Sequence, residues 1–557
     1  MAGGQAELST RPWVRHYDRH VKPSLDYPQA SLPDLLAQSV KTYGGSVALR
    51  FMSRGVTYRE FDAASNQFAH FLLKRGIGKD HRVVLILPNL PHFPVAFYGI
   101  LKAGATAVPV NPLYTPKEWA YFLKDSECSA VVTLDLFAEK VQQACDEAGV
   151  KTLMVGGPQD YLPFFQRLLY PFVKKDRPAI PTGAVLFTRA LAEGKRSRPE
   201  VKVAADDLAA LIYTGGTTGV SKGAMLTHRN LVANVLQCDA WFPQAQGGRV
   251  TMVAVMPFFH SFGLTVGLNF ALYMGAEIVM VPRFNVRQIL EVIQAQKPPA
   301  MFPGTPSIYA AINAYSKAKD YDLSCLWVSI SGGAPLPTEV QRKFEEMSKS
   351  ILVEGFGMTE SSPVTHVNPI LGKRKAGSIG VPLPDTDSKI VDSEDGSKQM
   401  AVGQEGELII RGPQVMAGYW RKPEETANTL KDGWLFTGDI AKMDDDGFFT
   451  VVDRKKDMII VEGFNVYPRE IEEVLFAHPK IKEAAAVGVK DSLKGEVVKV
   501  FAVVKENETL TKEEVLNYCR EHLAPYKVPK SVEFLEELPK SAINKVLRRE
   551  LRNRANP

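Results

Sequence analysis

The chain has 557 residues, of which 45% are hydrophobic and 23% are charged, and its net charge is +5. This length exceeds one ordinary hydrophobic core, so we expect at least two domains, and the small net charge gives no reason to expect a nucleic-acid partner. The five cysteines are scattered without a CxxC pair, which argues against a disulfide framework or a zinc site and favours a reducing, cytoplasmic compartment. The first 23 residues contain no apolar run, so we expect no secretory signal.

The predicted elements alternate between strand and helix along the first part of the chain. Extended segments are predicted at 82–88, 106–112, 130–134 and 152–156, with helices between them at 92–104 and 137–149. Strand, helix and strand at these lengths predict an α/β fold in which helices cover parallel sheets.

Two apolar stretches further along need separate interpretation. Residues 160–178 are apolar and aromatic with a basic end, and they fit either a surface helix packed on the sheet or a contact with a membrane surface. Residues 250–276 contain no Asp, Glu, Lys or Arg and are long enough to span a bilayer. Because this run includes Pro257, His260 and three glycines, we interpret it as a strand, a turn and a buried helix.

A rise in charge density indicates a second, smaller domain. From Asp453 to Pro557 the chain has 20 Lys and Arg and 18 Asp and Glu, a denser charge than in the preceding residues. Small domains have more surface per residue and therefore carry more charge. We predict an N-terminal domain at 1–452, a linker at 453–457 and a C-terminal domain at 458–557.

The stretch TGGTTGVSKG (214–223) follows an apolar run and combines glycines with hydroxyl residues and Lys222. Such a loop either is a flexible surface turn or presents backbone N–H groups, hydroxyls and a positive charge to a polyphosphate. Three later stretches favour the phosphate interpretation: SGGAPLP (331–337), VEGFGMTESSP (353–363) and residues 433–457. The last of these is predicted to place Asp439 in a turn between strands, followed by Arg454.

In this order, the four motifs resemble those of the adenylate-forming acyl-activating superfamily, and the similarity runs from residue 57 to residue 552. The resemblance implies a large N-terminal domain of helix-covered sheets with a small barrel-like subdomain, followed by a small, mobile α+β C-terminal domain. It also implies that ATP, Mg²⁺ and coenzyme A take part in the reaction.

The resemblance gives a role to each residue that matches a motif. The implied phosphate loop, for the β- and γ-phosphates of ATP, consists of Thr214, Gly216, Thr217, Thr218, Gly219 and Lys222. The implied adenine pocket consists of Gly332, Gly333, Ala334, Gly355 and Phe356, where Phe356 replaces the usual tyrosine. The remaining nucleotide contacts are Thr359 with the α-phosphate, Glu360 and Thr218 with Mg²⁺, and Asp439 with Arg454 at the ribose.

The C-terminal domain is expected to supply different residues to two successive half-reactions. Joining a carboxylate to the α-phosphorus of ATP brings two anions together, so the site needs cations. By resemblance, Lys545 is the lysine that bridges them, although Asn544 stands before it instead of the usual glycine and must adopt the same left-handed backbone. Rotation about the hinge residue Lys456 would then replace Lys545 by Gly463 and Phe464, which would line the channel for coenzyme A.

The acyl substrate is the least determined part of the prediction. PFFHSFGLTVG (257–267) matches the superfamily's acyl-side motif, which places His260 near the carboxylate and makes the uncharged run a wall of an apolar tunnel. The segments 432–457 and 538–552 resemble bacterial long-chain fatty-acid–CoA ligases. Medium-chain or aryl acid–CoA ligases, fatty-acyl–AMP ligases and, because of Asn544, a catalytically weak binding regulator are the alternatives. A homodimer and peripheral contact with the cytoplasmic face of a membrane are compatible with the sequence.

Overall fold

The computed structural model describes most of the chain. Its described residues are 11–163, 166, 170, 179–214, 221–242, 250–296, 299–461, 464–491, 495–541 and 544–556. Within these ranges the strands form four sheets, which we call the large mixed sheet, the second mixed sheet, the antiparallel sheet and the C-terminal sheet. The first three belong to the large N-terminal part, and the fourth belongs to the smaller C-terminal part, as the predicted fold class requires.

The second mixed sheet contains the strands predicted at the start of the chain. Its strands, in spatial order, are Gly418–Tyr419, Lys222–Thr227, Leu208–Thr214, Thr106–Pro109, Arg82–Ile86, Ala130–Leu134, Thr152–Gly156 and Val185–Leu186. The six from Leu208–Thr214 onward pair in parallel, whereas the first two pair antiparallel to their neighbours. Ala130–Leu134 is buried along its whole length, as expected for a parallel strand covered on both faces. The predicted parallel arrangement is therefore confirmed.

The large mixed sheet carries the strands that lead into the later motifs. Its strands, in spatial order, are Val381–Pro382, Val364–Val367, Ile351–Gly357, Leu326–Ser331, Ala300–Gly304, Thr251–Ala254, Glu277–Met280, Val47–Phe51 and Arg54–Thr57. The run from Ile351–Gly357 to Val47–Phe51 is parallel. Because parallel strands end at a common edge, the loops after 304, 331 and 357 are neighbours.

The antiparallel sheet and the C-terminal sheet meet at the predicted linker. The antiparallel sheet consists of Asp387–Val391, Gly406–Arg411, Trp434–Met443, Leu430–Lys431 and Phe449–Arg454 and is the counterpart of the predicted barrel-like subdomain. The C-terminal sheet consists of Phe464–Val466, Ile459–Val461, Gly495–Val504, Ile481–Asp491 and Ser531–Phe534. Asp453 and Arg454, the first two residues of the predicted linker, complete a strand of the antiparallel sheet.

Helices cover these sheets, and several begin at sequence-encoded caps. The α-helices are Leu32–Tyr43, Tyr58–Lys74, His92–Lys102, Pro116–Asp125, Asp135–Ala148, Phe187–Ala192, His228–Trp241, Ala271–Tyr273, Val286–Gln294, Pro306–Ala314, Thr338–Ser348, Pro423–Thr429, Pro468–Ala477, Lys512–His522 and Arg548–Ala555. Short 3₁₀ helices occupy Pro12–His16, Pro158–Tyr161, Ala318–Asp320, Thr359–Ser361 and Pro525–Lys527. Thr57 starts one long helix by accepting the Glu60 N–H while the Glu60 carboxylate caps the Thr57 N–H, a reciprocal capping box.

The uncharged run 250–276 folds as a strand followed by a buried helical segment. Thr251–Ala254 is a central strand of the large mixed sheet, and Gly263–Phe270 forms a π-helix that continues into Ala271–Tyr273. The predicted strand, turn and buried helix are thus confirmed. Across the ranges given above, no helix combines the length and the apolar character that crossing a bilayer requires. Most of the 160–178 segment lies outside the described residues.

Candidate active site

The glycine turn after Leu326–Ser331 lies at the carboxyl edge of the large mixed sheet. The Gly332 N–H donates to the Gly304 carbonyl at 3.1 Å, which joins this turn to the end of the neighbouring strand. A Cβ on Gly332 would lie 3.3 Å from the Phe262 ring, and Gly333 has φ +82°, a conformation that favours glycine. Neither glycine carries a side chain that would keep a flat base away from the backbone of this turn.

Phe356 and Gly355 lie in the adjacent strand, Ile351–Gly357. The Phe356 ring meets His366 edge-on, with ring centroids 5.9 Å apart. Next to them, Glu354 is buried and accepts the Leu336 N–H at 3.2 Å. Burial raises the pKa of Glu354 to about 7. None of the motifs pointed to this carboxylate, although an acidic residue inside an apolar strand is itself a sign of a functional site.

Thr359 and Glu360 follow in a short 3₁₀ helix, Thr359–Ser361. The Thr359 hydroxyl lies 3.2 Å from the Ser261 hydroxyl, so the α-phosphate candidate adjoins the predicted acyl-side motif. Glu360 is 7% exposed, and its Oε1 accepts the Tyr419 hydroxyl at 2.7 Å. Burial, reinforced by Glu360, raises the pKa of Tyr419 well above its ordinary range, so the phenol remains a donor at neutral pH.

Thr214 and Lys222 mark the two ends of the predicted phosphate loop. They face each other across the hairpin formed by Leu208–Thr214 and Lys222–Thr227. The Lys222 ammonium pairs with Glu425 and lies 5.3 Å from the centre of the Tyr419 ring. The other predicted loop residues, Gly216, Thr217, Thr218 and Gly219, lie outside the described residues.

Asp439 and Arg454 are cross-strand neighbours in the antiparallel sheet. Their side chains form an ion pair with Nε–Oδ1 at 3.2 Å. Burial raises the pKa of Asp439, while Arg454 and Lys545 oppose that rise. The prediction that Asp439 lies in a turn was wrong, because it lies inside the strand Trp434–Met443. Gly438, at φ +71°, bends this strand without ending it, which explains why its sequence suggested a turn.

Lys545 reaches this pair from the C-terminal domain. The Arg454 charge, followed by burial, lowers the pKa of Lys545 to about 7, while Asp439 opposes the change. Burial and then Lys545 lower the pKa of His260 to about 4, so the imidazole is neutral at physiological pH. Lys545 therefore lies close enough to His260, Asp439 and Arg454 for its charge to interact with each of them.

The turn before Lys545 is docked on the N-terminal domain. Asn544 has φ +58°, the left-handed conformation expected where the superfamily has glycine. Its carbonyl oxygen accepts the Ser307 hydroxyl at 2.9 Å. The turn is also closed internally, because the Ser541 N–H donates to the Lys545 carbonyl at 2.8 Å.

The linker is connected to the C-terminal domain by several buried charges. Asp453 accepts the Arg469 N–H at 2.9 Å, and the Arg469 guanidinium donates to the Val451 carbonyl. Arg548 lies within 4.0 Å of both Asp453 and Asp457. The predicted hinge Lys456 is exposed in the turn between these anchoring points.

Phe464 is one of the two residues predicted to face coenzyme A. Phe464 is 54% exposed and stacks on Tyr526 within the C-terminal domain, with ring centroids 4.8 Å apart. Gly463 lies outside the described residues. Lys545 therefore lies near Asp439 and Arg454, while Phe464 is exposed on the surface of its own domain.

Comparison with known proteins defines the class of this chain. Residues 36–420 match the family described as AMP-binding enzyme, and residues 470–545 match the AMP-binding enzyme C-terminal domain. The chain belongs to the AMP-binding enzyme family, which confirms the resemblance drawn from the four motifs.

Its relatives within that family are similar over nearly their whole lengths. The chain is 42% identical to the long-chain-fatty-acid–CoA ligase of Bacillus subtilis (strain 168) over 549 residues, 98% of each chain. It is 36% identical to 4-coumarate–CoA ligase 1 of Solanum tuberosum over 512 residues, 89% of this chain and 88% of the relative. Among solved structures, ATP-bound MatB from Rhodopseudomonas palustris matches with a TM-score of 0.83 and 29% identity, covering 94% of this chain and 99% of MatB.

Proposed function

We propose that this protein activates a long-chain fatty acid with ATP to give acyl-AMP and pyrophosphate, and then transfers the acyl group to coenzyme A, releasing AMP. The observation that carries the proposal is the hydrogen bond from Ser307 to the Asn544 carbonyl. This contact holds Lys545 close enough to Asp439 and Arg454 for their charges to shift its pKa. The relatives with about 40% identity over the full length support the choice of a long-chain acid.

In the first half-reaction, a carboxylate oxygen forms a bond to the α-phosphorus while the bond to the β-phosphate oxygen breaks. Lys545 supplies positive charge between the two anions, and Thr359 donates to the α-phosphate. Arg454 and burial lower the pKa of Lys545 to about 7 in the free protein. The negative charge of the arriving phosphates raises this pKa and so stabilises the ammonium form of Lys545 during adenylation. Asp439 accepts the ribose hydroxyls and thereby fixes the nucleotide.

Glu360 is the described residue best suited to hold Mg²⁺. Mg²⁺ is commonly bound through one or two carboxylates together with substrate phosphates, and Glu360, a buried carboxylate beside the α-phosphate candidate Thr359, fits that pattern. We propose Thr218 as its neighbour in the phosphate loop. When bound, Mg²⁺ supplies charge neutralisation to the polyphosphate.

In the second half-reaction, the thiol sulfur of coenzyme A bonds to the acyl carbon, the bond from that carbon to the AMP oxygen breaks so that AMP leaves with the electron pair, and the thiol proton passes to solvent. We propose that the C-terminal domain rotates about Lys456 and that Gly463 and Phe464 then line the channel. Rotation must break the hydrogen bond from Arg469 to Asp453 and the docking of Asn544 on Ser307. These contacts therefore favour the adenylation arrangement.

The substrate proposal is tested by incubating the protein with ATP, coenzyme A and a series of saturated acids from short to long chain, with 4-coumarate in parallel. The expected result is coenzyme A consumption that is most efficient with long chains. Preference for 4-coumarate would favour an aryl acid ligase, to which the potato relative corresponds. Acyl-AMP without a thioester would indicate a fatty-acyl–AMP ligase, and absence of pyrophosphate release would overturn the enzymatic proposal.

A cytoplasmic location with peripheral membrane contact is a separate proposal, supported by the apolar substrate and by the composition of residues 160–178. Flotation with anionic liposomes, with and without that segment, tests it. Light scattering tests whether the protein forms a homodimer.

A further inference from the structure

Lys222, the lysine of the predicted phosphate loop, already has an anionic partner. Its side chain is 11% exposed, and its ammonium pairs with Glu425, whose side chain is 36% exposed. A poorly solvated cation requires an anion close by, because loss of water is costly for an unpaired charge. The two partners differ in exposure, so Glu425 can return to solvent more readily than Lys222 can.

The surroundings of Lys222 connect this pair to the candidate Mg²⁺ ligand. The Tyr419 ring lies beside the Lys222 ammonium, and its hydroxyl donates to Glu360 at 2.7 Å. Tyr419 lies in the edge strand Gly418–Tyr419, which pairs with Lys222–Thr227. Lys222 and Glu360 therefore contact the same side chain, Lys222 over its ring and Glu360 at its hydroxyl. Glu425 approaches Lys222 from the helix Pro423–Thr429.

The helix that carries Glu425 does not depend on the ion pair for its position. The Thr426 hydroxyl accepts the Tyr419 N–H at 2.9 Å and donates to the Lys422 carbonyl at 2.8 Å. Gly418 packs closely against the same threonine, since a Cβ there would lie 2.8 Å from its methyl group. Movement of the Glu425 side chain can therefore occur without displacement of the helix.

We propose that the Glu425 carboxylate pairs with the Lys222 ammonium in place of a phosphate until the β- and γ-phosphates of ATP displace the carboxylate. After the adenylate has formed, Glu425 pairs with Lys222 again and displaces pyrophosphate. This inference rests on the proposed function, because it assigns Lys222 to those phosphates. Glu425 is a positioning residue that acts through Lys222. By competing for the same cation, it weakens the binding of both ATP and pyrophosphate and keeps them exchangeable.

The test is calorimetric titration of the full-length protein with MgATP, magnesium pyrophosphate and AMP in the absence of acid, so that no turnover occurs. Glu425→Gln removes the competing charge and is expected to tighten binding of ATP and of pyrophosphate by roughly two- to fivefold, the range for ion pairs near a surface. AMP lacks the β- and γ-phosphates, so its affinity is expected to stay the same. A merely structural role of Glu425 would not produce a gain that is restricted to these phosphates.

Two further variants complete the experiment. Glu424→Gln changes the same net charge on the same helix at an exposed position and is expected to leave all three affinities unchanged. Glu425→Asp keeps the competing charge and is expected to restore affinities close to those of the unmodified protein. Unchanged or weaker ATP binding by Glu425→Gln, or an equal change for ATP and AMP, would overturn the inference.

The outcome can be separated from that of the proposed function. If the unmodified protein forms acyl-CoA while Glu425→Gln binds ATP normally, only the role of Glu425 fails. If the unmodified protein forms neither acyl-AMP nor acyl-CoA, the proposed function itself fails. The proposal also has a kinetic consequence, because pyrophosphate is expected to inhibit Glu425→Gln more strongly than it inhibits Glu424→Gln.

Discussion

Substitution of Lys545 by alanine separates the two half-reactions. The structure places this lysine where Arg454 and burial both disfavour its charge, so the free protein has little to gain from the ammonium. Its favourable interactions therefore arise mainly when the carboxylate and the α-phosphate are present, and they lower the barrier because they strengthen as the two anions approach each other. Loss of one such preorganised group typically costs about 10²–10³ in rate, or about 3–4 kcal/mol.

We therefore expect Lys545→Ala to slow adenylation by at least about 100-fold, as measured by pyrophosphate exchange dependent on the fatty acid. Formation of the thioester from supplied acyl-AMP and coenzyme A is expected to change less than about threefold, since that step takes place after the lysine has left the site. Thermal unfolding is expected to change little, because a repelled cation is being removed.

Lys540→Ala is the matched control for this experiment. Lys540 lies on the same turn but pairs with Glu483 at 2.6 Å inside the C-terminal domain. Its removal is expected to leave both half-reactions nearly unchanged. Equal losses in the two half-reactions of Lys545→Ala would refute the assignment of this residue to adenylation alone.

Three other predictions concern the backbone, the ribose and pH. Asn544→Gly is expected to leave adenylation unchanged, whereas Asn544→Val is expected to slow pyrophosphate exchange about 5- to 30-fold, since left-handed backbone costs a β-branched residue about 1–2 kcal/mol or more. Asp439→Asn is expected to weaken ATP binding about 10-fold or more in calorimetry, and to weaken 2′-deoxy-ATP binding less, because charge-assisted hydrogen bonds contribute about 1.5–3 kcal/mol. Burial lowers the pKa of His228 to about 4, below its ordinary value in the unfolded chain. As the pH falls from 7 to 5, this histidine therefore gains a proton in the unfolded chain but not in the folded protein, and the free energy of unfolding is expected to fall by about 2 kcal/mol. Urea titrations of the protein and of His228→Asn check this, and equal slopes with pH would contradict it.

Local pattern predicted much of the fold because the information lies within each segment. The strand at Arg82–Ile86 and the helix at His92–Lys102 have runs and periods that only one element type satisfies. The prediction of a turn at Asp439 was wrong because it used only the local sequence, in which a glycine beside an aspartate indicates a turn. In the structure, pairing with Phe449–Arg454 keeps this segment in a strand.

The candidate site was predictable only where a motif carried it. Phosphate-loop and adenine-pocket residues lie in short glycine-rich stretches, so their order along the chain was informative. The partners of those residues were not predictable, because they come from distant parts of the sequence: Lys222 and Glu425 are 203 residues apart, and Glu360 and Tyr419 are 59 apart. The periodic patterns of helices and strands relate only residues that are close in sequence, so only the folded structure shows that these distant residues are paired.

The contact between Ser307 and the turn before Lys545 uses a main-chain oxygen as its acceptor. Every amino acid carries that atom, so the docking contact places no demand on the side chain at position 544. What remains is a demand on torsion angle alone, and asparagine meets it with fewer accessible unfolded conformations than glycine. Asn544 in place of glycine therefore keeps Lys545 in the same position, while the turn loses less conformational entropy when the chain folds.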